Sequence, residues 1–163
     1  AMVFFPSYAY LSRVDALLAA EGVPGAAILR EARGLTEEEK NALLGAFDKR
    51  DGRTVLLAVL GGAFAEGVDL AGERLQNVIV VSTGLPQMDA RVRAMRRYHD
   101  ENGADGAFLC MTLPGMVRVI QSAGRLIRTQ SDHGALLLID SRYQRGAERA
   151  LLSGTLIGDA LSG

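Results

Sequence analysis

The sequence predicts an α/β fold in which a parallel β-sheet is flanked by helices. Short apolar runs rich in valine and leucine recur along the chain, at 3–5, 26–29, 54–59, 78–83 and 135–140. Segments with helical periodicity lie between them, and strands separated by helices indicate a parallel sheet. The 163 residues, 48% of them hydrophobic, fit a single domain with a substantial core. We therefore expect one domain over 1–163, with a core at 2–150 and a tail at 151–163 of unclear role.

Helices are predicted at 8–20, 36–50 and about 87–101. Thr36 and Glu39 form a capping-box pattern at the start of the second of these helices. The third carries a basic cluster, in which Arg93 and Arg97 are spaced to lie one above the other. This ridge is either a solvated helix face or a local contact for nucleic acid. The net charge of −1 provides no overall positive field that would attract nucleic acid, so any such binding is local.

A further helix is predicted at 116–128, with polar side chains on one stripe: Arg118, Gln121, Arg125 and Arg128. An advance of about 100° per residue places them within roughly a quarter turn, and apolar residues take the opposite face. Guanidinium groups match the geometry of phosphate and remain charged. The stripe is therefore either a platform for phosphate or the solvated face of an amphipathic helix.

A glycine-rich connection lies between the apolar runs at 54–59 and 78–83 and carries Glu66 and Asp69. In an open parallel sheet such a connection lies at the carboxyl edge, where ligands bind. Gly67 fits a backbone conformation that other residues disfavour. Taken alone, the loop also fits a plain turn, and Asp69 also fits a capping or turn carboxylate.

Three segments together resemble the XPD/DinG-like group of superfamily two DNA helicases. GGAFAEGVDL resembles motif V, and QSAGRLIR followed by DHGALLLIDSRY resembles motif VI and its downstream strand. VFFPSYAYL is similar to the motif that opens the second motor domain of that group. The three segments stand in the family's order across 3–143, which covers nearly the whole chain. The resemblance implies a RecA-like fold and the C-terminal motor domain of an ATP-dependent DNA helicase.

The resemblance also implies roles at a nucleotide site between two motor domains. Arg125 and Arg128 would be the arginine fingers that reach the γ-phosphate of ATP, and Gln121 would help to place them or touch the nucleotide. The motif V residues would sense the nucleotide and couple it to the DNA strand: Glu66, Gly67 and Asp69. Arg118 has no counterpart in the family motif, and we interpret it as a solvated residue.

Contacts to single-stranded DNA are expected at the ends of strands. The hydroxyl of Ser7 would meet a backbone phosphate, and the ring of Tyr8 would stack on a base. Tyr8 fits packing at a helix start equally well. Thr83 is similar in position to residues that grip the strand in the family. Asp140 and Arg142 also fit a structural ion pair.

Two motifs needed for phosphoryl transfer do not occur in the sequence: the Gly-x-x-x-x-Gly-Lys-Ser/Thr phosphate loop and an Asp-Glu-x-His or Asp-Glu-x-Asp box. A phosphoryl-transfer enzyme needs a cradle for the phosphates and a metal to neutralise them. In the family both lie in the first motor domain. We therefore expect that domain of the same polypeptide to be the partner that holds ATP with Mg²⁺. The isolated chain is expected to be inactive.

Cysteine content and hydropathy bear on cofactors and location. The single Cys110 lies in an apolar segment and is expected to pack as a small hydrophobic residue. The iron–sulfur cluster of several helicases in this group needs four cysteines, so we expect none in this chain. We expect no metal ligands either, since His99 and His133 lack partners at metal-binding spacing. With no apolar run near the ~20 residues of a membrane span and no leader pattern, a cytoplasmic protein without membrane contact is predicted.

Two other functions remain open from the residues alone. One is a stand-alone nucleic-acid-binding or interaction module with a degenerate motor fold. The other is an unrelated α/β enzyme with a phosphorylated substrate, although no nucleophile or base stands out for it. The presence of both Arg125 and Arg128 favours the motor, because a binding module does not need the pair at this spacing.

Overall fold

The computed structural model describes residues 1–48, 53–65, 75–126 and 134–155, and the side chains of the last segment up to 154. Within them lies a five-stranded sheet of order β2-β3-β1-β4-β5, in which every neighbouring pair is parallel. The strands are β1 (Met2–Phe5), β2 (Ala26–Arg30), β3 (Arg53–Val59), β4 (Asn77–Val81) and β5 (Ala135–Ile139). The predicted α/β class and the five predicted strands are confirmed. Because all strands run the same way, their carboxyl ends meet at one edge.

The core lies on both faces of the sheet, as expected for parallel strands. The central strand β1 pairs Met2 with Leu56 of β3 and with Val78 of β4. Met2 and Phe4 are fully buried in the larger core, and Phe5 belongs to a smaller one on the other face. This alternation follows from the two-residue period of a strand.

The described ranges contain five α-helices: α1 (Tyr8–Glu21), α2 (Glu37–Asp48), α3 (Ala90–Glu101), α4 (Leu113–Ala123) and α5 (Gly146–Thr155). Helix α1 covers the smaller core through Leu11. Helices α2, α4 and α5 cover the larger core through Phe47, Val119 and Leu152. The capping box of α2 is confirmed, since the Thr36 amide donates to Glu39 Oε2 at 2.9 Å and the Glu39 amide donates to Thr36 Oγ1 at 3.2 Å.

Helix α4 ends earlier than the predicted helix at 116–128. Its last residue is Ala123. The two hydrogen bonds that follow join residues three apart instead of four, from Arg125 N to Ser122 O at 3.3 Å and from Leu126 N to Ala123 O at 3.0 Å. Glycine is a poor helix former, and Gly124 stands where the α-helical pattern stops. The prediction that Arg118 and Arg125 lie on one continuous helical stripe is therefore wrong.

A π turn at Phe108–Thr112 precedes α4, closed by the bond from Leu113 N to Phe108 O. A proline ring crowds the carbonyl four residues earlier, and Pro114 brings this crowding to the widened turn. Cys110 lies in the turn and is buried and free, as predicted.

The predicted tail at 151–163 begins inside α5. Leu152 is 1% exposed and packs into the larger core, so this part of the tail belongs to the domain. Residues 156–163 lie outside the described part of the chain. No helix in the described ranges is long and apolar enough to cross a bilayer.

Candidate functional site

The loop at 60–65 leaves the carboxyl end of β3 and leads to the glycine-rich connection. It is fixed at both ends: Leu60 N donates to Phe5 O at 2.9 Å, and the fully buried Phe64 anchors it in the larger core. Gly62 N donates to Val59 O at 2.8 Å, which turns the chain back on the strand. These contacts therefore hold the first part of the motif V-like segment, 61–65, against the sheet.

Arg125 lies against this loop. Its Nη2 donates to the carbonyl oxygen of Ala65 at 2.8 Å, across 60 residues of sequence. Ala65 is buried and Arg125 is half-buried. The motif VI-like arginine thus contacts the residue that comes directly before the predicted motif V positions. Those positions lie outside the described residues, as does the second predicted finger: Glu66, Gly67, Asp69 and Arg128.

The other two members of the predicted stripe differ in environment. Gln121 is exposed, in the last turn of α4. Arg118 is half-buried, and its Nη1 donates to Gly84 O at 3.3 Å. Its side chain crosses Gly61, where an added Cβ would lie 3.2 Å from Arg118 Nε. The interpretation of Arg118 as a solvated residue is wrong, because the side chain packs between the loops that follow β3 and β4.

Glu31 was not predicted and is the most enclosed charged residue of this edge. It follows β2 directly and is only 3% exposed. Its Oε1 accepts from Ala63 N at 2.7 Å, and its Oε2 accepts from Val59 N at 2.9 Å. A Cβ on Gly62 would lie 2.2 Å from Oε1, so a side chain there is excluded unless the carboxylate moves. The sequence signal was only a charged residue after a short apolar run.

Tyr8 completes the shell around Glu31. Its hydroxyl donates to Glu31 Oε1 at 2.8 Å. Burial, together with this hydrogen bond and the nearby charge of Glu31, raises the pKa of Tyr8 to about 12, so the phenol keeps its proton at neutral pH. The guanidinium carbon of Arg33 lies 4.8 Å from the ring centroid. Packing at the start of α1, one of the two alternatives for Tyr8, is therefore present.

Ser7 and Thr83 occupy contrasting positions. Ser7 is exposed, and its Oγ accepts from Tyr10 N at 3.2 Å as the N-cap of α1. Thr83 is fully buried, and a Cβ on Gly115 of α4 would lie 2.6 Å from its carbonyl oxygen. The Thr83 hydroxyl therefore does not reach the surface in this conformation, contrary to the expected contact with a DNA strand.

Asp140 and Arg142 form the structural ion pair that the sequence left open. Arg142 Nε lies 2.8 Å from Asp140 Oδ1, and Nη2 lies 2.7 Å from Oδ2. The hydrogen bonds from Arg142 lower the pKa of Asp140, and the same pairing raises the pKa of Arg142. Arg142 Nη2 also donates to Ser82 Oγ at 3.2 Å. Ser82 has a positive φ of 70°, and this contact helps to hold it there.

The basic ridge of α3 is exposed to solvent, which fits both a solvated face and a local contact for nucleic acid. Helix α3 has no buried residue, and Tyr98 is 64% exposed. Arg93 donates to the carbonyl of Met88 at 2.9 Å, and Arg96 lies 3.6 Å from Asp100. Both contacts are local, within α3 or to the residues that directly precede it.

The chain matches a known protein family along nearly its whole length. The family model described as "Helicase C-terminal domain" matches residues 1–156. The chain belongs to this helicase C-terminal domain family. The predicted resemblance to the C-terminal domain of XPD/DinG-like helicases is thereby confirmed. Within the described ranges, no group of three or more His, Cys, Asp or Glu side chains is placed to hold a metal ion.

Curated relatives of this helicase C-terminal domain are much longer proteins. The chain is 33% identical over 168 residues to "Regulator of telomere elongation helicase 1 homolog" of Anopheles gambiae, covering 93% of the chain and 17% of that protein. It is 29% identical over 164 residues to "ATP-dependent DNA helicase chl-1" of Caenorhabditis elegans, covering 97% and 20%. The chain spans about a fifth of the length of these relatives.

Solved structures show the same fold. The structure designated "XPD_APO" superposes with a TM-score of 0.73 at 22% identity, covering 93% of this chain and 30% of that one. The structure designated "XPD_Helicase" gives 0.69 at 21% identity, covering 94% and 27%. The helicase C-terminal domain therefore has the RecA-like architecture that the resemblance implied.

Proposed function

We propose that the chain is the C-terminal motor domain of an ATP-dependent DNA helicase, in which Arg125 and Arg128 act as arginine fingers. The hydrogen bond from Arg125 to Ala65 carries this proposal. It holds the motif VI-like arginine beside the motif V-like segment, at the edge of the sheet where ligands of parallel α/β folds bind.

The chemistry asked of Arg125 is stabilisation of charge on a transferring phosphoryl group. A guanidinium is a planar fork of donors, and one anchored nitrogen fixes the plane of the whole group. A fixed positive group at the terminal phosphate of ATP stabilises the charge that develops there. Such fingers contribute on the order of 10³ to 10⁵ in rate. Gln121 is exposed on the last turn of α4 and would assist Arg125 or touch the nucleotide.

The remaining parts of the ATP site belong to a first motor domain of the same polypeptide. The sequence of this chain contains no phosphate loop, so the β- and γ-phosphates and the Mg²⁺ ion are held mainly by that domain. Glu66, Gly67 and Asp69 would respond to the nucleotide from this side. ATP hydrolysis then requires both domains.

Single-stranded DNA would bind near the start of α1. Ser7 is exposed there and its hydroxyl retains a proton to donate to a phosphate, and Tyr8 and Arg33 offer a ring and a cation next to it. Thr83 is not included, because it is buried. Motion of the two domains against each other during ATP turnover would move the strand.

The decisive test is Arg125→Ala in a polypeptide that joins this domain to its first motor domain. We expect kcat for ATP hydrolysis to fall by about 10³ while KM changes much less, since the contact is strongest in the transition state. Stability should fall by about 1–3 kcal/mol, because the change leaves the buried carbonyl of Ala65 without this charged donor. Steady-state phosphate release and urea denaturation measure the two effects.

Arg13→Ala is the matched control, because Arg13 is exposed on α1 and its side chain bonds to no described residue. Its turnover should stay at the wild-type level. Wild-type turnover by Arg125→Ala, or an equal loss in Arg13→Ala, would refute the role of Arg125.

The isolated chain should hydrolyse no ATP above background and should bind single-stranded DNA weakly. With a net charge of −1, its binding depends on local cations and should decrease as salt rises. Fluorescence anisotropy of a labelled oligothymidine at increasing NaCl measures this dependence. Tight binding that resists salt would instead support a stand-alone binding module.

A further inference from the structure

We propose that Glu31 is a positioning residue that couples DNA binding at Tyr8 to the placement of Arg125. The inference rests on the proposed function and extends it, because it names the connection between the two sites. None of the three helicase-like motifs contains Glu31.

The connection consists of three short hydrogen bonds and the loop at 60–65. Tyr8 donates to Glu31 Oε1 at 2.8 Å, and the same oxygen accepts from Ala63 N at 2.7 Å. Two residues further along the loop, the carbonyl of Ala65 accepts from Arg125 Nη2 at 2.8 Å. A movement of the Tyr8 hydroxyl therefore changes the bonding of an oxygen that also holds the loop under Arg125.

Because the Glu31 carboxylate is buried, the loss of one of its hydrogen-bond donors is energetically costly. Glu31 is 3% exposed, and water is not available to replace a bond that is withdrawn. Its other oxygen is already engaged by Val59 N at 2.9 Å. Gly62 lies so close that the carboxylate has no room to shift towards it. Loss of the Tyr8 bond is therefore compensated by movement of the loop, not of Glu31.

Tyr8 is the member of this shell that DNA can reach. Its ring is only partly buried, and the exposed Arg33 covers one face of it at 4.8 Å. A phosphate that pairs with Arg33, or a base that stacks in its place, repositions the ring and its hydroxyl. Of the two backbone donors to Glu31, Val59 N is buried and has no such access, and Ala63 N lies in a half-buried part of the loop.

The experiment measures ATP hydrolysis by the two-domain polypeptide with and without single-stranded oligothymidine, together with the Kd for the same oligonucleotide. Tyr8→Phe keeps the ring for stacking and removes only the hydroxyl bond to Glu31. Glu31→Gln keeps the shape, but in either orientation of the amide its NH2 faces one of the two backbone donors, Val59 N or Ala63 N. Tyr10→Phe is the matched control, because the Tyr10 hydroxyl makes no hydrogen bond to any described residue and its ring stacks on Phe5 at 5.7 Å.

We expect Tyr8→Phe to lower the stimulation of ATP hydrolysis by DNA by about fivefold or more, with the Kd for DNA within about twofold of wild type. Glu31→Gln should lower the stimulation at least as much, and the double variant no further, since both act through one bond. Tyr10→Phe should keep the full stimulation.

Three outcomes would overturn the coupling role. Stimulation could persist in Tyr8→Phe, it could fall only in proportion to DNA affinity, or Tyr10→Phe could lose it equally. If Glu31→Gln does not fold, Tyr8→Phe alone decides. Absence of any ATP hydrolysis in the wild-type two-domain polypeptide would refute the proposed function itself, which is a distinct result.

Discussion

The two outer strands of the sheet each end at a carboxylate, and the two carboxylates are used in opposite ways. Glu31 follows β2, is buried, and binds groups 23 to 32 residues away in sequence. Asp140 follows β5, is only partly buried, and binds chiefly Arg142, two residues on. The first fixes the loop that leads to the candidate site. The second fixes a local turn.

The comparison is tested most strongly by removing the Glu31 carboxylate. Glu31→Leu leaves the buried Val59 N–H, the partly buried Ala63 N–H and the Tyr8 hydroxyl without an acceptor, each a loss of about 1–3 kcal/mol when unpaired. We expect the free energy of unfolding to fall by about 3–5 kcal/mol, the sum of the three losses near the low end of that range. Urea denaturation of the domain measures it. If Glu31→Leu loses less stability than Asp140→Asn, burial does not make the Glu31 carboxylate the more important of the two for stability.

Gly62→Ala tests the enclosure of Glu31 from the other side. The new Cβ would lie 2.2 Å from Glu31 Oε1, so the carboxylate must give up bonds, at about 1–3 kcal/mol. Gly45→Ala is the matched control, because Gly45 lies exposed in α2 with nothing within 4 Å of the added Cβ. It should raise stability by up to about 1 kcal/mol, the difference in helix propensity. Thermal unfolding of both variants should therefore shift in opposite directions.

Asp140→Asn should have the smallest cost, about 1 kcal/mol at neutral pH, because the ion pair is partly exposed. Its pH dependence has a defined sign. Arg142 holds the pKa of Asp140 below the ordinary value of 3.8, so the stabilisation is present above that value and lost as pH falls through the lower folded pKa. The difference between wild type and Asp140→Asn in urea denaturation should thus vanish in acid. A constant difference at all pH values would argue against the ion pair.

Local interactions were the part of this fold that the sequence could predict. The strands follow from apolar runs, the start of α2 from Thr36 and Glu39, and the Asp140 pair from residues two apart. Each depends on neighbours in sequence. The Arg125 contact to Ala65 spans 60 residues and was approached only through the resemblance to a family.

Glu31 and the end of α4 show why the rest was missed. The partners of Glu31 are mostly backbone amides, which carry no residue-specific signal, and they are brought to it by the parallel pairing of β2 with β3. The predicted helix at 116–128 extends beyond Gly124 because Leu126 continues the apolar spacing of a helix. In the structure Leu126 is indeed buried, but it is reached through a tightened turn. The spacing of apolar residues predicts which side chains are buried. It does not predict which backbone hydrogen bonds bring them to the core.

The π turn at Phe108–Thr112 has a consequence for how chain length can vary among related domains. A π turn holds one more residue than the α-helical turn it replaces. Because the wider turn takes up the extra residue, deletion of one residue there would restore α-helical bonding and leave the helix that follows nearly in phase. Val119 would stay in the core that α4 covers, and Arg118 would stay beside Gly84. This turn therefore absorbs a change of one residue in chain length without re-aiming the helix that leads to Arg125.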